Sequence, residues 1–83
     1  MTLDNRILAL IAVGASVSAN CQPCLERNVN TALKCGADIP QICEAIDIGK
    51  RARHGAATKM DAFITNLSQS VPASTNTADC GCS

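Results

Sequence analysis

The chain has 83 residues, seven basic and seven acidic side chains, six cysteines and a single aromatic, Phe63. One domain is the ceiling at this length, and a folded monomer of this size exposes about 4,700 Å² and buries only about 60% of its unfolded surface. A net charge of zero gives no support to an electrostatic nucleic-acid or acidic-membrane binder, and the lack of Trp and Tyr leaves little for base stacking.

The first predicted element runs from Leu3 to about Ala19. Ile7, Leu8, Leu10, Ile11, Val13 and Val17 cover more than one face of its helical wheel. A helix apolar most of the way round is buried in a core or against a partner subunit. Read differently, Met1 to Ala19 has the outline of a secretory leader with a small-residue cleavage site. Asp4 offsets Arg6 in its charged region, however, and no stretch reaches the roughly 18 uninterrupted apolar residues of a membrane span. A cytoplasmic protein that does not engage a membrane is the expectation.

A second helix is predicted from about Pro23 to Cys35, since Pro suits a first turn. Leu25, Val29, Ala32 and Leu33 give it one apolar stripe, and Gly36 takes the position just past its end. Asp38-Ile39-Pro40-Gln41 then opens a third helix as a capping box. From there Ile39, Ile42, Ile46, Gly49, Ala52, Ala56, Met60, Phe63 and Leu67 step by three or four. The small residues in the middle of this stripe would let another helix approach closely. A straight helix from Pro40 to Leu67 is about 42 Å long, so a bend near His54-Gly55 is expected. Residues 68–83 are polar and small and read as a flexible tail ending in Cys80-Gly81-Cys82. The division is therefore a helical domain, 1–67, and a tail, 68–83.

The cysteines hold the specific chemistry. Cys21-Gln22-Pro23-Cys24 places two thiols on one face at a helix N-terminus, close enough for a disulfide. Orphan amides and the positive dipole end there stabilise a thiolate, the species that attacks disulfides and peroxides. A structural zinc wants four ligands, and only CxC and the isolated His54 are on offer as a second half. Redox chemistry is thus preferred, with no metal and no cofactor expected. On exposure alone the more N-terminal thiol, Cys21, is the better nucleophile. Cys24, Asn28, Thr31 and Cys35 lie along one helix face, so Asn28 sits one turn below Cys24. A general base would be useful there, but an amide accepts no proton near neutrality. Cys43, among Ile39, Ile42 and Ile46, is expected to be buried, and Cys35 to be packed. Lys50 to His54 reads as a solvated or intersubunit salt-bridged face rather than an anion site, and Asp47 and Asp61 as helix surface.

The run Ile11 to Arg27 (IAVGASVSANCQPCLER) resembles the cysteine motif of the carboxymuconolactone decarboxylase and alkylhydroperoxidase-D superfamily, as do Gly36-Ala37-Asp38, Glu44 to Gly49 and Gly55 to Asp61. The resemblance spans about Leu3 to Phe63. It implies an all-α, three-helix domain that assembles as a homo-oligomer, a trimer or hexamer, which suits the thin core. It also implies that Cys24 attacks peroxide and Cys21 resolves the product. The alkylhydroperoxidase-D branch has a histidine four residues after the second cysteine, where this chain has Asn28. Its relay glutamate falls on Ala9, and its histidine between the cysteines on Pro23. Without that relay, peroxide reduction is expected to be weak, whereas dithiol–disulfide exchange needs only the pair. No residues of the decarboxylase branch are recognisable.

Cys80 and Cys82 form at most a small, strained ring, and strained disulfides exchange readily. An arm from Leu67 to Cys80 spans roughly 20 Å and at most about 45 Å, enough to bring an auxiliary redox pair to Cys21 and Cys24. The expected partner is a dithiol or disulfide protein or a small-molecule reductant. Two other classes compete: a non-enzymatic soft-metal binder using CxxC and CxC, and a structural oligomer that has lost the family chemistry.

Overall fold

The computed structural model describes residues 2–70. Three helices follow in order, α1 (Asn5–Ser18), α2 (Gln22–Lys34) and α3 (Ile39–Ser70), and among the described residues there is no strand. The domain is all-α. Residues 71–83, with Cys80 and Cys82 and most of the expected tail, lie outside the described residues. Ser68 to Ser70, assigned to that tail on composition, continue α3 instead.

Local chemistry sets each boundary. The Asp4 carboxylate accepts from the Ile7 amide at 2.9 Å and caps α1, so the helix begins at Asn5 rather than Leu3. Gly36, at φ +97°, ends α2. Beside it the Ala37 amide donates to Ala32 O (2.9 Å) and the Gly36 amide to Leu33 O (3.2 Å), the paired bonds of a Schellman turn. The capping box forms as expected: Gln41 N donates to Asp38 Oδ1 at 2.9 Å, and Asp38 N donates to Gln41 Oε1 at 3.1 Å. From Ile39 the third helix continues unbroken through His54 and Gly55, about 48 Å in all.

α1 is the hub. It packs against both other helices, which scarcely touch each other. Ala9, Val13, Ala32, Ala37 and Ile42 are its buried core, flanked by Leu10, Leu25, Val29, Ala45 and Ile46. Val13 is wholly buried, worth about 1.5–3 kcal/mol of transfer free energy. Where α1 crosses α3 the backbones nearly meet. A Cβ added to Gly49 would collide with the Gly14 carbonyl and lie 2.8 Å from Val17 Cβ, so the small residue in the α3 stripe does serve close helix approach.

The rest of that stripe, past Gly49, is exposed in the single chain. Residues 51–70 are exposed throughout, with Met60, Phe63, Ile64 and Leu67 each at least half accessible. Ile7 and Ile11 of α1 are exposed too, so within the single chain α1 buries one face. Cys43 is exposed, against the expectation of a buried small hydrophobe. The α3 face that meets α1 is Ile42, Ala45, Ile46 and Gly49, and one step of about 100° turns Cys43 away from it. Ile39, the apolar neighbour that argued for burial, is itself 60% exposed. Cys35 is half-buried at the α2 C-cap.

Candidate functional site

The chain reverses between α1 and α2 in three residues, and that reversal sets the cysteines. Ala19 caps α1 and Asn20 follows in the left-handed region at φ 56°. The Cys21 amide donates back to Ser16 O (3.0 Å) and the Asn20 amide to Val17 O (3.1 Å). These are again the two bonds of a Schellman turn, with Asn in the place glycine usually holds. Cys21 is therefore tied to the end of α1 through its backbone and is also the N-cap of α2. Its carbonyl accepts the first bond of that helix, from the Leu25 amide at 3.0 Å.

Cys21 and Cys24 are joined in a disulfide, with Cα atoms 5.2 Å apart. Both are half-buried. The Cys21 side chain makes no capping hydrogen bond, so the α2 N-terminus has no side-chain cap in the oxidised form. Backbone amides and the positive dipole end of a helix N-terminus stabilise a thiolate in general. The remaining described cysteines, Cys35 and Cys43, are unpaired.

Asn28 occupies the relay position but faces elsewhere. Its Nδ2 donates to Ser16 Oγ at 2.8 Å and, at 3.4 Å, to Ala12 O. Ser16 in turn donates to Ala12 O at 2.7 Å. Ser16 is 5% exposed, and this link satisfies it while tying α2 to α1 below the disulfide. Ala9 is buried and apolar, and Pro23 has no titratable group. None of these three positions can move a proton in the way histidine or glutamate would.

Two contributors were not legible in the sequence. Nothing in the sequence singles out Ser16, and only the 12-residue reach to Asn28 reveals its role. Arg53 sat in a basic run read as a solvated or intersubunit salt-bridged face. In the fold one of its guanidinium nitrogens donates to Asn20 Oδ1 at 3.1 Å across 33 residues. A cleft of about 160 Å³ opens there, lined by Ser16, Val17, Asn20, Cys21, Gln22, Leu25 and Arg53. A larger apolar groove of about 650 Å³ runs between α1 and α3, past Ile7, Leu10, Ile11, Ala45 and Ile48. It contains neither Cys21 nor Cys24. Among the described residues no three His, Cys, Asp or Glu side chains converge as a metal site would require. No described helix is long and apolar enough to cross a membrane.

A three-helix, all-α domain with a CxxC disulfide at the α1–α2 junction is the class that fold and site define. Within that class, a model of the carboxymuconolactone decarboxylase family matches residues 2–64, and the chain belongs to this family. No curated protein and no solved structure matches the chain at a significant level.

Proposed function

We propose that this chain is a thiol–disulfide oxidoreductase of the alkylhydroperoxidase-D type, with Cys24 as the attacking thiol and Cys21 as its resolving partner. The observation that supports it is the half-exposed Cys21–Cys24 pair at a helix N-terminus without a side-chain cap, with Cys21 lining a small cleft. The reduced Cys24 thiolate attacks one sulfur of a substrate disulfide, forming a mixed disulfide and releasing one substrate thiolate. Cys21 then attacks Cys24 Sγ, closes the protein disulfide and releases the second thiolate. Two electrons pass to the substrate, and the two cysteine protons go to the departing thiolates by way of solvent. A dithiol protein or a small thiol reductant restores the pair.

Peroxide reduction follows the same pair but is slow, because Ala9, Pro23 and Asn28 supply no proton relay. Cys80 and Cys82 enter this reading as an auxiliary pair that passes electrons to or from Cys21 and Cys24. A cytoplasmic setting fits the unpaired Cys35 and Cys43, since reducing compartments preserve free thiols. The working form is a homo-oligomer, a trimer or hexamer, in which a second copy covers the exposed Met60–Leu67 face and the α1–α3 groove. Contiguous apolar surface of this kind marks interaction sites.

The test is turnover with a small disulfide and with a hydroperoxide, using a dithiol to recycle the enzyme. Disulfide turnover should exceed peroxide turnover, and Cys24→Ser should abolish both. Cys21→Ser should stall after one mixed disulfide, seen as a mass adduct on Cys24. Turnover that survives Cys24→Ser would remove the proposal. Sedimentation of Phe63→Glu should show a smaller species than the parent chain.

A further inference from the structure

We propose that Arg53 makes the Cys21 cleft selective for anionic thiols, so that the reductant of the disulfide is one carrying a carboxylate near its sulfur. The inference rests on the redox reading above and names the chemical class that reading leaves open. Four observations support it. Arg53 comes from α3 yet reaches the α1–α2 turn, where Asn20 Oδ1 holds one guanidinium nitrogen. That contact uses a neutral acceptor and leaves the positive charge uncompensated by Asn20. Cys21, and not Cys24, lines the same cleft. None of the residues lining it is acidic, so an incoming anion meets one cationic residue, Arg53, and no opposing carboxylate in the cleft that Cys21 lines.

A guanidinium presents its donors in a planar fork that matches a carboxylate, and Asn20 occupies only part of that fork. The carboxylate of an incoming thiol docked on the remaining donors would hold its sulfur at Cys21. The thiolate then attacks Cys21 Sγ. The Cys21–Cys24 bond breaks, a mixed disulfide forms on Cys21, and Cys24 leaves as a thiolate at the α2 N-terminus. A second thiolate attacks the incoming sulfur of that mixed disulfide and releases Cys21. The protein pair gains two electrons and two protons from solvent, and the two thiols leave as their disulfide with two electrons and two protons fewer. Cys24 is regenerated as the thiolate that the forward reaction requires.

The experiment uses the oxidised full chain and three probe thiols at equal thiolate concentration: 3-mercaptopropionate, 2-mercaptoethanol and cysteamine. Reduction is quenched by alkylation and read by mass spectrometry on the peptide holding Cys21 and Cys24. In Arg53→Gln the rate with mercaptopropionate should fall about fivefold, the effect of one unit charge at near contact in water. The mercaptoethanol rate should stay within about twofold, and the cysteamine rate should rise. Arg53→Lys should keep part of the anion preference, and added salt should erode it in the parent chain. Equal changes for all three thiols, or none for any, would overturn the role of Arg53 while leaving the redox reading intact. A pair that none of the three thiols reduces in the folded protein would overturn both.

Discussion

Two chain reversals connect the three helices, and both close with the same pair of backbone hydrogen bonds. At the second, Gly36 takes the positive φ, and a Cβ placed there would have no neighbour within 4 Å. That turn only changes the direction of the chain. At the first, Asn20 takes the positive φ, its side chain receives Arg53, and the residue after it is a redox cysteine. Glycine adopts this conformation with less strain, so asparagine costs some stability and supplies a carboxamide in return. The difference separates a turn that is purely structural from one that also builds a site.

Substitutions at the two turns sharpen that contrast. The largest loss is expected for Gly36→Val, where a β-branched residue is forced to φ +97°. It should cost about 2 kcal/mol or more in urea unfolding, with the reduction rate of the Cys21–Cys24 pair unchanged in the folded protein. Asn20→Ala should cost about 1–2 kcal/mol, because alanine tolerates the left-handed region less well than asparagine and Arg53 loses its partner. It should also weaken the preference for mercaptopropionate. Asn28→Ala removes the donor to Ser16 and should cost about 1 kcal/mol, without altering that preference. The smallest change in stability belongs to Asn20→Gly. Relief of strain and loss of the Arg53 contact oppose each other, so unfolding should shift by under about 1 kcal/mol, while anion selectivity falls as in Asn20→Ala. A full anion preference in Asn20→Gly would mean that the carboxamide is not needed to place Arg53.

Much of the fold was legible because its signals are local. The Asp38–Gln41 box, Gly36 past the end of α2, the Pro23 start and the CxxC pairing each depend on residues a few positions apart. The Gly49 crossing was legible as a small residue in an apolar stripe. What escaped depends on long-range geometry. The Arg53–Asn20 contact spans 33 residues and the Asn28–Ser16 contact 12, and neither has a sequence period. Cys43 was misplaced because apolar neighbours along the chain were read as burial, whereas the face that packs is chosen by where α1 crosses α3. The distal half of α3 has the pattern of a core helix, and among the described residues nothing packs against it.

The central claim, that Cys21 and Cys24 are a working redox pair rather than a staple, is tested most directly by the reduction potential of their disulfide in the folded protein. Equilibration with thiol–disulfide buffers, read by alkylation of the Cys21–Cys24 peptide, gives the value. The account predicts reversible titration in the range of catalytic dithiols, about −120 to −270 mV. A potential below about −300 mV, the range of structural disulfides, or a pair that is reduced only when the chain unfolds, would contradict it.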